Sequence, residues 1–105
     1  MTTIMENQFD VKQEGAILTI VLGEELATGN APALMEELNK YRNQGVEKVV
    51  FDATALKYIA SSGIRTIIFA KQKLGLDTEI VMKNVSEDVR SVIEMTGCDN
   101  FVTLE

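Results

Sequence analysis

Histidine is absent from the chain, and cysteine occurs once, as Cys98. Without histidine the chain cannot build a Ser-His-Asp triad. A Ser-x-x-Lys pair is missing as well, because Ile64 and Arg65 stand three residues after Ser61 and Ser62. One cysteine excludes an internal disulfide, and with no histidine it argues against a zinc site. These absences exclude several classes of enzyme, and Cys98 is expected to be a buried or half-buried thiol.

Long hydrophobic runs and basic clusters are also absent. No apolar stretch approaches the ~20 residues that a membrane-spanning helix needs, so we expect no direct membrane insertion. Residues 1–6 lack the basic and apolar regions of a secretory signal. Ten basic and sixteen acidic residues give a formal net charge of −6, which argues against nucleic-acid binding. We expect one cytoplasmic domain spanning residues 1–105, with residues 1–7 frayed.

Ligand-binding motifs are scarce. The glycines are too scattered to form a phosphate-binding loop, so no cofactor is implied. Four acidic residues are candidates to bind a divalent metal ion: Asp10, Glu24, Glu25 and Asp52. Scattered acids are usually solvated surface residues or loop caps, and we expect no metal site.

Hydrophobic periodicity predicts the order β-β-α-β-α-β-α-β. The predicted strands lie at residues 9–13, 16–22, 46–51, 78–82 and 101–104, the first two as a hairpin. The predicted helices run from an N-cap at Asn30 to Gly45, from Ser62 to Gly75, and from Ser86 to Gly97. Residues 23–30 and 53–60 are predicted to be connections. This order favours an α/β domain with a mixed sheet of four to five strands and three main helices mostly on one face.

Ser61, Ser62 and Gly63 lie where a predicted connection meets the second helix. Backbone N–H groups at a helix start lack partners and the helix dipole is positive there, so a phosphate at this position is favoured. Serine is also an ordinary N-cap residue, and spacing alone leaves both interpretations open. Gly63 is interpreted as allowing close approach of the backbone at a tight turn.

Three segments carry a resemblance to a known family. The first is Gly-Glu-Glu-Leu-Ala at 23–27 with Asn-Ala-Pro-Ala-Leu at 30–34. The second runs from Val-Val-Phe-Asp-Ala at 49–53 through Leu56 and Ile59 to Ser-Ser-Gly-Ile at 61–64. The third runs from Val89 through Ile93 to Met-Thr-Gly at 95–97 and Phe101. Together they resemble the anti-sigma-factor antagonist (STAS) family over nearly the whole chain, in the right order.

The resemblance implies a STAS-like domain and a non-enzymatic bacterial regulator that works by partner switching. In that family the unmodified protein binds an anti-sigma factor that is also a serine kinase, and so releases the sigma factor. The kinase phosphorylates the serine that opens a helix, which ends the complex, and a metal-dependent serine phosphatase resets the protein. In this chain the phosphoacceptor position falls on Ser61, with Ser62 as the alternative.

The chain departs from the family pattern at Ala60, where the family has aspartate, and at Ala27, where the family loop ends in an acid. Both acids would lie near the serine, where they could orient its hydroxyl and raise the repulsion of an added phosphate. Their absence favours two alternatives. One is a small STAS subunit of a membrane-transport assembly, such as a lipid-transport ABC complex, and the other is a constitutive protein-binding module without a phosphorylation cycle.

A helical wheel places four residues of the second helix side by side, away from its inward stripe: Arg65, Ile68, Phe69 and Gln72. An outward phenylalanine beside an isoleucine predicts a partner-contact patch. With it, the expected partner-binding surface contains Ala27, Ala60, Ser61, Ser62 and Gly63. The alternatives are that one or both of Ile68 and Phe69 pack under the connection at 53–60, or that they are scattered exposed apolar residues.

Overall fold

Strands and helices follow one another in the predicted order, with two short strands added. The computed structural model describes residues 9–75 and 77–105. The strands are β1 (Phe9–Glu14), β2 (Ile17–Leu22), β3 (Glu25–Leu26), β4 (Lys48–Asp52), β5 (Tyr58–Ile59), β6 (Glu79–Lys83) and β7 (Thr103–Leu104). The helices are α1 (Ala31–Asn39), α2 (Ser61–Leu74) and α3 (Glu87–Met95), with a 3-10 turn at Cys98–Asn100. Residues 1–7, predicted to be frayed, lie outside the described part.

β1 and β2 form the predicted hairpin and pair antiparallel. Along β2 the side chains alternate, as expected for a strand with one buried face. Leu18, Ile20 and Leu22 are buried. Ile17 and Val21, on the opposite face, are 44% and 43% exposed. At this edge the sheet therefore meets the core with one face and solvent with the other.

The main sheet has five strands in the order β1-β2-β4-β6-β7. The pairs β2–β4, β4–β6 and β6–β7 are parallel, so the sheet is mixed, as predicted. One fully buried row crosses its centre through Ile20, Phe51 and Met82. β4 is central, and Val49, Val50 and Phe51 are all buried, which accounts for its continuous apolar sequence.

The three α-helices in the described residues pack on the face that carries Ile20, Phe51 and Met82. Their buried side chains belong to the same hydrophobic core as that row, and include Leu34, Leu38, Ile67, Ala70, Val89 and Ile93. α1 and α2 also pack against each other. Within residues 9–75 and 77–105, no helix combines the length and apolarity needed to cross a membrane.

α1 ends at Asn39, earlier than the predicted stop near Gly45. The chain tightens after the helix, because the N–H groups of Lys40 and Tyr41 donate to carbonyls three residues back. Asn43 then adopts a left-handed conformation with φ of +64°. The prediction was wrong because this turn leaves the helical path before Gly45 is reached.

Cys98 is fully buried, as predicted, at the start of the 3-10 turn. Burial raises the pKa of its thiol to about 11, with a smaller contribution from the nearby Asp99 carboxylate. The thiol is therefore protonated at neutral pH, and a buried, protonated thiol is chemically inert.

Candidate functional site

Ser61 is the first residue of α2, and it is exposed. The N-cap position belongs to Ala60, whose backbone is extended (φ −97°, ψ 175°), and no side chain caps the helix. The interpretation of Ser61 as the N-cap is therefore wrong. Among the described residues its hydroxyl has no hydrogen-bond partner. An accessible, unbonded hydroxyl thus lies beside the positive end of the helix dipole.

Ser62 has the opposite environment, although it is the next residue. Its Oγ is buried and has no hydrogen-bond partner within the described part of the chain. Its carbonyl accepts a hydrogen bond from the Thr66 hydroxyl at 3.0 Å, inside the helix. Only the Ser61 side chain of this pair is therefore open to a macromolecule that approaches the turn.

The short strands β3 and β5, which the sequence did not predict, hold this turn in place. They pair in parallel, with Glu25 opposite Tyr58 and Leu26 opposite Ile59. The Ala60 N–H then donates to the Leu26 carbonyl at 3.0 Å, which extends the pairing to the residue before Ser61. Two-residue strands carry too little periodicity to be recognised in a sequence.

Ala27 and Ala60 are brought together by this pairing, since each follows one member of the Leu26–Ile59 pair. Both are half-buried. The loop beyond Ala27 is fixed by the Asn30 side chain, which is 5% exposed. Its Oδ1 accepts from the Ala27 N–H and its Nδ2 donates to the Glu25 carbonyl, each at 2.9 Å. The two positions at which the chain departs from the family's acids therefore adjoin the serine turn.

Gly63 is buried where α2 meets β3. A Cβ atom at this position would lie 2.5 Å from the Leu26 carbonyl oxygen and 2.7 Å from Cγ1 of Ile59. Any larger residue must push the helix away from the strands. Glycine is thus required here for close approach, as predicted, and Gly63 positions the turn rather than presenting a contact surface.

The predicted patch on α2 is divided by the structure. Arg65 and Gln72 are exposed, whereas Ile68 and Phe69 are half-buried and pack against the edge of the core. The Lys73 ammonium lies 5.6 Å from the centroid of the Phe69 ring, within cation–π range. The apolar pair therefore offers only part of its surface to solvent.

Tyr58 is a more exposed aromatic side chain beside the turn, and no sequence pattern predicted its position. It lies on β5 and is 57% exposed. Before it, the Lys57 ammonium lies 3.9 Å from a carboxylate oxygen of Glu24, and both side chains are exposed. An exposed tyrosine can supply much of the energy of a protein interface. The sequence does not predict the exposure of Tyr58, because that exposure depends on the β3–β5 pairing.

Asp52, one of the four acids considered for a divalent ion, is held by hydrogen bonds from Thr54. Asp52 Oδ1 accepts from the Thr54 hydroxyl at 2.6 Å and from the Thr54 N–H at 3.0 Å. The first of these bonds is the main reason that the pKa of Asp52 is lowered. Asn84 Nδ2 in turn donates to the Thr54 hydroxyl at 3.0 Å. These contacts fix the start of the connection that leads from β4 to Ser61.

Comparison with known proteins identifies relatives of the same kind as the sequence resemblance. The family model described as the STAS domain matches residues 8–105. A Bordetella bronchiseptica protein named "Putative anti-sigma factor antagonist BtrV" is 32% identical over 87 residues, which cover 82% of this chain and 74% of that protein.

Solved structures show the same fold at lower identity. An anti-sigma factor antagonist from Mycobacterium paratuberculosis has a TM-score of 0.78 at 22% identity, covering 91% of this chain and 82% of its own. The phosphorylated form of the Bacillus cell fate determinant SpoIIAA has a TM-score of 0.73 at 18% identity. That match covers 92% of this chain and 90% of the SpoIIAA chain.

Proposed function

Since the chain belongs to the STAS domain family, we propose that it is a non-enzymatic anti-sigma-factor antagonist controlled by phosphorylation at Ser61. It binds an anti-sigma factor that is also a serine kinase, and phosphorylation by that kinase ends the complex. A metal-dependent serine phosphatase then restores the unmodified form. The observation that carries this proposal is the exposed, unbonded Ser61 hydroxyl at the start of α2.

The surroundings of Ser61 support a phosphate that leaves the fold intact. Phosphorylation adds about −1.5 to −2 charges at neutral pH. The first turn of α2 contains no acidic residue that would repel them. A negative group at a helix N-terminus is favourable by about 0.3–1 kcal/mol. The domain can therefore carry the modification without unfolding.

Arg65 gives the phosphate a second favourable contact. It is exposed and follows Ser61 by four residues, so the two side chains share one face of α2. A negative residue four positions before a positive one is the more favourable order on a helix. In the phosphorylated protein Arg65 is then occupied within the chain. The bulk and charge of the phosphate oppose a partner docked on this face. Arg65, once paired with the phosphate, is also no longer available to that partner.

The proposed partner surface surrounds Ser61. It contains Ala27, Ala60, Arg65, Ile68, Phe69 and Gln72, and we add the exposed Tyr58. The Ser62 hydroxyl and Gly63 are buried, which supports a role in shaping the turn. The surface thus has aromatic groups flanking an exposed serine.

The experiment incubates the full chain with ATP and cytosol of the source bacterium, then measures its intact mass. We expect a mass gain of one phosphate in the wild type and in Ser62→Ala, and none in Ser61→Ala. Ser62→Ala is the matched control because it removes the same group from the adjacent residue. A mass gain that persists in Ser61→Ala contradicts the proposal.

The phosphatase is tested on the phosphorylated protein after ATP has been removed. Fresh cytosol should return the mass to its original value, and a chelator of divalent metal ions should prevent this return. Loss of phosphate that is insensitive to the chelator contradicts a metal-dependent phosphatase.

A second candidate function is favoured by Ala27 and Ala60, which stand where the family has acids. Without those acids the chain could serve as a constitutive binder, or as a small STAS subunit docked on the ATPase of a lipid-transport ABC assembly. A pull-down of partners with the immobilised full chain, combined with the same mass measurement, separates the two functions. Capture of a transporter ATPase from the cytosol, with no change in mass, supports the second candidate and contradicts the first.

A further inference from the structure

An open groove of about 310 Å³ lies between α1 and α2. Its lining residues are Met35, Glu36, Asn39, Arg42, Phe69 and Lys73. Met35 and Phe69 are half-buried and supply its apolar part. Along the helix axis Phe69 lies about 12 Å from Ser61, at the usual rise per residue. The groove is therefore within reach of a protein that covers the serine turn.

Three exposed cations at this groove and on the adjoining side of α2 have no salt-bridge partner among residues 9–75 and 77–105: Arg42, Arg65 and Lys73. Four other cations, Lys12, Lys40, Lys57 and Arg90, are paired with acids, whereas the exposed Lys83 on β6 also has no salt-bridge partner in the described part of the chain. α2 contains no acidic residue, although the chain as a whole carries a charge of −6. The lining of the groove contains one acid, Glu36. This side of α2 is thus locally basic on an acidic protein.

We propose that the groove and the basic side of α2 bind an acidic segment of a protein partner. An apolar side chain of that segment packs against Met35 and Phe69, and its carboxylates pair with Arg42, Arg65 and Lys73. This inference rests on the proposed function, because it states the chemistry of the partner that docks beside Ser61.

Charge complementarity over short distances carries the proposal. At physiological salt, charges are screened beyond about 8 Å, so the local cations count for more than the distant acids of the chain. Arginine binds carboxylates through two parallel hydrogen bonds, which adds geometric fit to the attraction. Ala27 and Ala60 place no negative charge at the turn itself. Within the groove, Glu36 is the one lining acid that would repel an acidic partner.

The test selects short random peptides displayed on phage against the immobilised, unphosphorylated full chain. We expect the selected peptides to be enriched in aspartate and glutamate and to contain an apolar anchor. Their binding should shift the backbone amide resonances of α1 and α2 in an isotopically labelled protein. Peptides without acidic enrichment, or resonance shifts confined to other elements, would overturn the proposal.

Matched variants assign the effect to the groove. Lys73→Glu should weaken binding of the selected peptide by roughly fivefold, since one exposed charge pair contributes up to about 1 kcal/mol. Lys83→Glu makes the same charge change on β6 and should leave the affinity unchanged. Glu36→Gln should tighten binding, because it removes the acid from the lining. Equal weakening by Lys73→Glu and Lys83→Glu contradicts the proposal.

A second copy of this chain is the competing occupant, and analytical ultracentrifugation tests it. A dimer that is lost in Lys73→Glu, but not in Lys83→Glu, would overturn the proposal in favour of self-association.

Because the selection uses no ATP, its result does not depend on phosphorylation. If acidic peptides are selected but Ser61 is not phosphorylated in cytosol, the groove still binds an acidic partner and the chain is a constitutive binder. If Ser61 is phosphorylated but no acidic peptides are selected, the partner binds another surface and this inference is wrong.

Discussion

The two helices that the sequence opens with serine begin in contrasting ways. α3 has Ser86 at its N-cap, where Oγ accepts a hydrogen bond from the Val89 N–H at 3.3 Å. Glu87 and Asp88 follow in its first turn, where acids complement the helix dipole. α2 has Ala60 at its N-cap, with no capping side chain and no acid in its first turn.

The difference shows two ways of holding a helix start. The start of α3 is satisfied by residues of its own first turn. The start of α2 is held by tertiary contacts, through the bond from Ala60 to Leu26 and the close approach of Gly63. Its positive end is thus left without a negative group of its own. A phosphate on Ser61 would supply to α2 what Glu87 and Asp88 supply to α3.

The largest effect is expected at Gly63. Gly63→Ala should lower the free energy of unfolding by about 1–3 kcal/mol, because its Cβ would collide with the Leu26 backbone. Gly29→Ala is the control, since a Cβ at that position meets nothing within 4 Å. Urea denaturation measures both variants. Equal stability of the two variants would contradict the claim that close packing holds the start of α2.

The serines at the starts of α3 and α2 are expected to differ in their contribution to stability. Ser86→Ala should lower the free energy of unfolding by about 1 kcal/mol, because it removes the bond to the Val89 N–H. Ser61→Ala should change it by less than about 0.5 kcal/mol, because Ser61 caps nothing. Thermal and urea unfolding of the two variants test this contrast. A loss at Ser61 as large as that at Ser86 would remove the distinction between the helix starts.

Giving α2 a cap should make it resemble α3. In Ala60→Asp the new carboxylate can accept from a free N–H of the first turn. We expect the free energy of unfolding to rise by about 0.5–1 kcal/mol. Ala60→Asn is the matched control, because it caps without charge, and denaturant unfolding compares the two. No gain in either variant would show that the N–H groups of α2 are already satisfied.

A negative charge at Ser61 should act in opposite directions on folding and on binding. Ser61→Asp should raise the free energy of unfolding by about 0.3–0.5 kcal/mol through the helix dipole. Binding of the partner captured from cytosol should weaken, and calorimetry of the complex measures that loss. Ser61→Asn is the uncharged control. Weaker binding accompanied by an equal loss of stability would indicate damage to the fold rather than a switch.

The smallest effect concerns Asp52, at the start of the connection to Ser61. The Thr54 hydroxyl lowers the pKa of the folded carboxyl below its ordinary value of 3.8. The stabilisation is therefore present above that value and is lost as the pH falls through the folded pKa. Asp52→Asn should show a shallower loss of stability in acid than the wild type in urea unfolding across this pH range. Identical acid profiles would contradict a stabilising role for this carboxylate.

Local patterns were sufficient to predict most of the fold. The alternation in β2 and the apolar run of β4 correspond to buried rows in the sheet, and the alternation in β1 corresponds to half-buried positions. The position of Ser61 at the start of a helix was also predictable, because Ser61 follows an extended connection and precedes an amphipathic run. These features depend on neighbours within one element.

Features that depend on distant contacts were not predictable. β3 and β5 have two residues each and exist because Leu26 and Ile59 meet. The N-cap at Ala60 follows from the same pairing, which overrides the local preference for serine at that position. The exposure of Tyr58 and the division between Ile68, Phe69 and Gln72 likewise depend on packing between elements. The sequence therefore indicated the candidate site but not the contacts that hold it.

Tandem mass spectrometry can show directly whether Ser61 is the residue that is phosphorylated. Trypsin cleaves after Lys57 and Arg65, so one peptide contains both serines of the turn. After incubation with ATP and cytosol, we expect a phosphate on Ser61 in that peptide. Phosphate on Ser62, or a wholly unmodified peptide recovered together with the bound kinase, would contradict it.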